Sequence, residues 1–135
     1  MSENPTEPII AMVIDDNKID LYITSRVIRK MKDVSLVVEC ASGQSALQYL
    51  SQNKHDMALL PNFIFVDIYM PQMSGFEFME AFDTLPDSLK DQCKCYIISS
   101  TIDEKDINRA NADKNVVAFR EKPVPFSFLE QVIIG

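Results

Sequence analysis

Three carboxylates, two hydroxyls and a lysine stand at matching places in this chain, each at or just beyond the end of a short apolar run. Asp15 and Asp16 follow Ile9–Ile14, Asp67 ends the run that starts at Phe63, Ser99 and Ser100 follow Cys95–Ile98, and Lys122 comes shortly after Val116–Phe119. Carboxylates held close together repel one another and take up protons unless a cation is present. Oxygen donors with no His or Cys beside them suit a hard ion such as Mg²⁺, which typically takes one or two carboxylates and keeps water or phosphate oxygens. Asp67 would then be free to attack a phosphoryl group and carry it as an acyl phosphate. Lys122 supplies a mobile positive charge to the phosphoryl oxygens, and Ser99 a hydroxyl that can hydrogen-bond the new group. Taken singly, each has an ordinary explanation. Asp15-Asp16-Asn17 could cap a helix, Ser99-Ser100 could make a turn, Lys122 could be solvated, and Phe119 is most simply core. Four strand ends carrying matching chemistry in order are harder to assign to chance.

These groups meet only if the apolar runs are parallel strands of one sheet. The runs Ile9–Ile14 and Phe63–Val66 are apolar at every position, which suits strands covered by helices on both faces. Between the runs lie helical patterns: Lys18 to Lys32 with Ile19, Ile23, Val27 and Met31 every four residues, and Gly43 to Gln52 through Ala46, Leu47 and Leu50. A helix through Phe78, Met79, Phe82 and Leu85 follows Gly75, and a mostly polar one runs from Glu104 to about Ala112, capped by Thr101 or Asp103. The last, Phe126 to Ile134, turns Leu129, Val132 and Ile133 inward. Val34–Ala41 alternates as an edge strand would, and Pro86–Lys94 reads as a polar linker with room for a turn of helix. The Gln52–Asn62 connection is longer than such units usually need. Strict alternation predicts an α/β fold: a doubly wound (βα)5 unit with a five-stranded parallel sheet in the order 2-1-3-4-5. Ligands in such sheets bind beyond the carboxyl ends of the strands at the point where the order reverses, between strands one and three. Asp15, Asp16 and Asp67 fall there.

Composition narrows the field. With 135 residues, 47% hydrophobic and 24% charged, the chain is sized for one domain with a real core, residues 9–135, preceded by a loose polar tail over residues 1–8. The net charge of −7 and the lack of a basic run argue against direct nucleic-acid binding and favour protein partners. No apolar run reaches the roughly 20 residues of a membrane span, and the polar N-terminus has no leader pattern, so no membrane role and a cytoplasmic location are expected. Cys40, Cys93 and Cys95 are too few and too odd for a disulfide scaffold or a zinc site and are expected to be buried thiols.

Together these motifs resemble the receiver domain of two-component response regulators, from about Ile9 to Ile134. Asp15-Asp16 follows the first strand, Asp67-x-x-Met70-Pro71-x-Met73-x-Gly75 the third, Ser99 the fourth and Lys122-Pro123 the fifth. The resemblance implies a flavodoxin-like fold and a phosphoacceptor at Asp67. It implies Mg²⁺ held by Asp15, Asp16, Asp67 and the backbone carbonyl of Tyr69, with Lys122 binding the phosphoryl group and a cis Lys122-Pro123 peptide. It further implies a switch pair, Ser99 and Phe119, Phe119 replacing the commoner Tyr and so lacking its hydroxyl. Ser100 stands where a smaller Ala is frequent. The implied donor is a histidine kinase or phosphotransfer protein. The implied downstream partner docks on the face of the fourth helix (Glu104 to Ala112), the fifth strand and the last helix. The chain ends at Gly135 directly after that helix, so the expectation is a single-domain, chemotaxis-regulator-like protein, not an enzyme, that catalyses only its own phosphorylation and dephosphorylation. A small Mg²⁺-dependent phosphohydrolase and an unphosphorylated receiver-like scaffold are the rival readings.

Overall fold

In the computed structural model, which describes residues 8–134, Ile9–Ile14 forms β1 and is buried from Ile10 onward. The chain continues through α1 (Lys18–Arg29), β2 (Val34–Cys40), α2 (Gly43–Gln52), a 3₁₀ turn (Met57–Leu59) and β3 (Phe63–Asp67). Then come α3 (Gly75–Phe82), α4 (Asp87–Gln92), β4 (Lys94–Ser99), α5 (Glu104–Ala112), β5 (Val116–Glu121) and α6 (Phe126–Ile134). The strands form one all-parallel sheet in the order β2-β1-β3-β4-β5, as expected. The expected tail, residues 1–8, lies outside the described residues except for Pro8, which is exposed.

Successive side chains leave a strand on opposite faces, so continuously apolar strands feed two cores. On one face Met12, Ile14, Ile64, Val66, Cys95 and Ile97 pack with Ala46 and Leu50 of α2, Phe78 and Phe82 of α3, and Leu89 of α4. On the other, Ala11, Val13, Phe65, Tyr96 and Ile98 pack with Leu21 and Ile28 of α1 and Leu129 and Ile133 of α6. Phe65 and Tyr96 stack with ring centroids 5.4 Å apart, and Phe128 of α6 meets Tyr96 edge-on. The thiols of Cys40, Cys93 and Cys95 are buried, and burial pushes that of Cys93 up to about 12.

Two local features differ from the sequence expectation, and a third fills in a connection of which only the length was read. First, α1 ends at Arg29 and is rotated: Ile19 and Ile23 are exposed, while Leu21, Thr24, Ser25 and Ile28 are buried. A stripe at i, i+4 drifts round a helix of 3.6 residues per turn, whereas Leu21, Ser25 and Ile28 hold one face. Second, the Pro86–Lys94 linker contains a full short helix, α4, anchored by the buried Leu89. Among the described residues the sheet is thus flanked by six helices.

Third, the long Gln52–Asn62 connection is tied down at both ends. Asp56 caps its 3₁₀ turn, the Tyr49 hydroxyl donates to the Leu59 carbonyl at 2.7 Å, and Gln92 Nε2 donates to the carbonyls of Met57 and Leu60. Asn62 exchanges hydrogen bonds with the backbone of Ile10, which starts β3 level with β1. The loop closes the amino edge of the sheet, opposite the carboxylates.

Strand register sets up that carboxyl edge. Ile14 lies beside Val66, Asp67 beside Ile98, and Ser99 beside Glu121. The residues next in line, Asp15, Asp67, Ser99 and Lys122, therefore emerge side by side.

Candidate functional site

Asp15 leaves β1 fully buried, and Asn17 rather than either aspartate caps α1, accepting from the backbone N–H groups of Ile19 and Asp20. That division of labour frees both carboxylates. Asp15 Oδ1 accepts from the Asn17 N–H at 2.9 Å, leaving Oδ2 for a cation. Ligand oxygens from Asp15, Asp16 and Asp67 lie within 4.8 Å of one another, Asp16 being the exposed member. Three hard oxygen donors without nitrogen or sulfur fit Mg²⁺ by charge and by softness.

Asp67 is held by the chain that follows it. The Gly75 N–H donates to the Ile68 carbonyl at 2.8 Å, pinning the start of α3 to the end of β3. Ser74 caps α3 in a reciprocal box with Glu77. Between them, Met73 N–H donates to the Pro71 carbonyl across Gln72, whose φ of 71° is a strained conformation for a residue with a side chain. Tyr69 projects outward, and its hydroxyl donates to Asp106 of α5, which raises the phenol pKa.

Lys122 reaches back from β5 beside a cis Lys122-Pro123 peptide. Its ammonium lies 2.8 Å from Asp20, 2.9 Å from Asp15 and 3.2 Å from Asp67. The expected residues Asp15, Asp16, Asp67 and Lys122 are thus brought together. Ser99 is buried beside them, its Oγ accepting from the Thr101 N–H at 3.1 Å, while Ser100 is exposed. Phe119 is half-buried and packs against the core on the α2–α4 side of the sheet. Asp20 was not foreseen. Its signal in the sequence is an acid one helical turn beyond Asp16, in the first turn of α1.

Burial, then the neighbouring Asp15, push the Asp67 carboxyl up to about 6, with Lys122 pulling the other way. Burial pulls the Lys122 ammonium down, but hydrogen bonds to Asp20 and Asp15 outweigh it and the net shift is upward. A metal ligand must be deprotonated, so protons and cation compete for Asp67. Mg²⁺ affinity measured by calorimetry should be nearly constant above pH 7. It should then fall, approaching about tenfold per pH unit well below pH 6. A flat profile down to pH 5 would exclude Asp67 from the cation site.

Comparison with known proteins bears on the family and the fold. The family model of the response regulator receiver domain matches residues 11–134. No curated protein sequence matches the chain. The chain is similar to the solved structure of a response regulator receiver protein from Dyadobacter fermentans, 27% identical with a TM-score of 0.82, over 92% of this chain and 94% of that one. It is similar to a two-component response regulator from Cytophaga hutchinsonii, 25% identical with a TM-score of 0.85, over 93% and 94% of the two chains. It shares the fold of the phosphorylated cyanobacterial phytochrome response regulator RcpA, 24% identical with a TM-score of 0.74, over 93% and 89%.

Proposed function

The chain belongs to the response regulator receiver domain family, and from that premise we propose that it is a phosphoacceptor switch in two-component signalling, with Asp67 as the acceptor. The observation that supports this most directly is the meeting of Asp15, Asp16 and Asp67 with the Lys122 ammonium at one sheet edge.

An Asp67 carboxylate oxygen attacks the phosphorus of a phosphohistidine on a histidine kinase or phosphotransfer protein. The P–N bond breaks, the imidazole leaves with the electron pair and takes up a proton, and Asp67 is left as an acyl phosphate. Asp15, Asp16, Asp67 and the Tyr69 carbonyl are the groups that would hold Mg²⁺, which supplies positive charge to the phosphoryl oxygens. Lys122 binds one of those oxygens, and the Ser99 hydroxyl swings from its turn to donate to another. Phe119 moves inward behind it, altering the face of α5, β5 and α6 on which a downstream protein docks. Water later hydrolyses the acyl phosphate, releasing inorganic phosphate and restoring the Asp67 carboxylate. The chain acts on its own Asp67 and on no external substrate, and the cytoplasm is the compartment proposed for that action on its membership of the receiver family. No helix among the described residues is long and apolar enough to cross a membrane.

The test is intact mass after incubation with acetyl phosphate. One phosphoryl adduct that forms with Mg²⁺ and not with EDTA is the expected result. No adduct, together with no beryllofluoride complex, would leave a scaffold instead of a switch. Ser99→Ala should still take up phosphate, but its reporting should suffer, because a hydrogen bond to a charged group contributes about 1.5–3 kcal/mol. The shifts of α5, β5 and α6 amide resonances on adding beryllofluoride should shrink in that variant. Shifts of wild-type size would remove Ser99 from the switch.

A further inference from the structure

We infer that Asp20 is a positioning residue for Lys122: its carboxylate takes over the ammonium when a divalent cation occupies Asp15, Asp16 and Asp67. The inference deepens the phosphoacceptor reading and rests on it for the presence of that cation.

Three carboxylates surround the ammonium: it donates to Asp20 at 2.8 Å and to Asp15 at 2.9 Å, and it is ion-paired with Asp67 at 3.2 Å. Two of those partners belong to the acidic cluster. Asp15 is the more committed of them, because its Oδ1 is taken by the Asn17 N–H and its Oδ2 by Lys122. The lysine therefore sits on oxygens that a metal ion needs, and two cations sharing one acidic site repel each other. Asp20 stands outside the cluster. It rides on α1, not on a strand end, and its side chain is 34% exposed against 0% for Asp15 and 8% for Asp67. Among the described residues Lys122 is the one cation paired with its carboxylate.

There is also space for the movement. A cavity of about 280 Å³ opens beside the ammonium, lined by Asp20, Ile23, Thr24, Ser100, Lys122 and Pro123. Lys122 can withdraw from Asp15 toward Asp20 without displacing the core. It stays at the rim of the site, where its charge remains beside the phosphoryl acceptor. With a neutral amide at position 20 the ammonium has no charged refuge and remains on Asp15, in competition with the metal.

The experiment is calorimetric titration of the full chain with Mg²⁺ at pH 8, on wild type, Asp20→Asn, Lys122→Met and the double variant. Asp20→Asn should bind Mg²⁺ roughly three- to tenfold more weakly, the scale of one lost charge-assisted contact. Lys122→Met should bind it more tightly, since the competitor is gone. In the Lys122→Met background the effect of Asp20→Asn should fall to less than about twofold, the residue of a distant charge. The same factor in both backgrounds would make Asp20 a mere contributor of negative potential and overturn the inference, as would wild-type affinity in Asp20→Asn. Failure of the underlying reading looks different: wild type would then bind no Mg²⁺ or form no adduct with acetyl phosphate.

Discussion

Asp67→Asn should lose phosphoryl uptake entirely and, in the same molecule, make the metal-free fold more stable. Without the carboxylate there is no nucleophile, so incorporation from acetyl phosphate should drop by roughly three orders of magnitude or more, below detection by intact mass. The gain in stability follows from the pKa. The folded protein holds the Asp67 proton up to about 6, against the 3.8 ordinary for an aspartate side chain. Between those values the folded state binds more protons than the unfolded one, so stability declines as pH rises through the window. Above it, the buried charge beside Asp15 is a standing cost. Asparagine has the shape of the neutral acid, and should recover on the order of 1–2 kcal/mol at pH 7.5 in EDTA, measured by urea unfolding. Mg²⁺ should narrow or reverse the difference, because it binds only the carboxylate form well. Labelling that survives the substitution would move the acceptor elsewhere. An Asn variant less stable than wild type would show that Lys122 outweighs burial at this site.

The second large effect is expected at Gly75. A Cβ there would lie 2.4 Å from the Asp67 carbonyl oxygen, 3.0 Å from the Ile68 Cα and 3.1 Å from the Asp67 carbonyl carbon. All three are backbone atoms of Asp67, which ends the acceptor strand, and of the residue that follows it, so nothing flexible can give way. Either α3 backs off and breaks the Gly75 to Ile68 hydrogen bond, or Asp67 is pushed out of line with Asp15. Gly75→Ala should therefore cost roughly 2–4 kcal/mol by urea unfolding and weaken Mg²⁺ binding as well. Gly43 is the internal control, since both glycines open a helix. There an added Cβ meets the thioether end of Met73, 2.6 Å from Sδ, and a Met side chain can rotate away. Gly43→Ala should stay within about 1 kcal/mol of wild type. Equal costs at the two positions would show that close approach to the acceptor strand is not what demands Gly75.

Much of this was legible in the chain because strand chemistry is local. A run apolar at every position announces a strand covered on both sides. Parallel pairing then turns the residue after each run into a neighbour of the others, as Asp15, Asp67, Ser99 and Lys122 became. Helix phase was harder. Ile19, Ile23 and Val27 looked like the inner face of α1, but Thr24 and Ser25, polar by type, are the residues that sit against the sheet. Asp20 was hidden for another reason: an acid in the first turn of a helix already has an ordinary role beside the helix N-terminus, and only the tertiary placement of Lys122 gives it a second one. The short α4 was obscured for a related reason: a six-residue helix anchored by Leu89 alone leaves almost no periodic signal.

The way α5 is attached has a mechanical consequence. Only Ala110 of this helix is buried. Besides its shallow packing on β5, it is fastened at its rim by polar contacts: the Tyr69 hydroxyl on Asp106, and Arg109 lying 4.3 Å over the Phe76 ring and 3.6 Å from Glu80. Those polar contacts lead to Tyr69 and to α3, the stretch that follows Asp67. A panel held by pins at its edge, unlike one glued across its back, can be released without disturbing what lies beneath. Local opening of α5 should therefore require less free energy than unfolding of the sheet, and its amide protons are expected to exchange with solvent by that route while those of β3 stay protected.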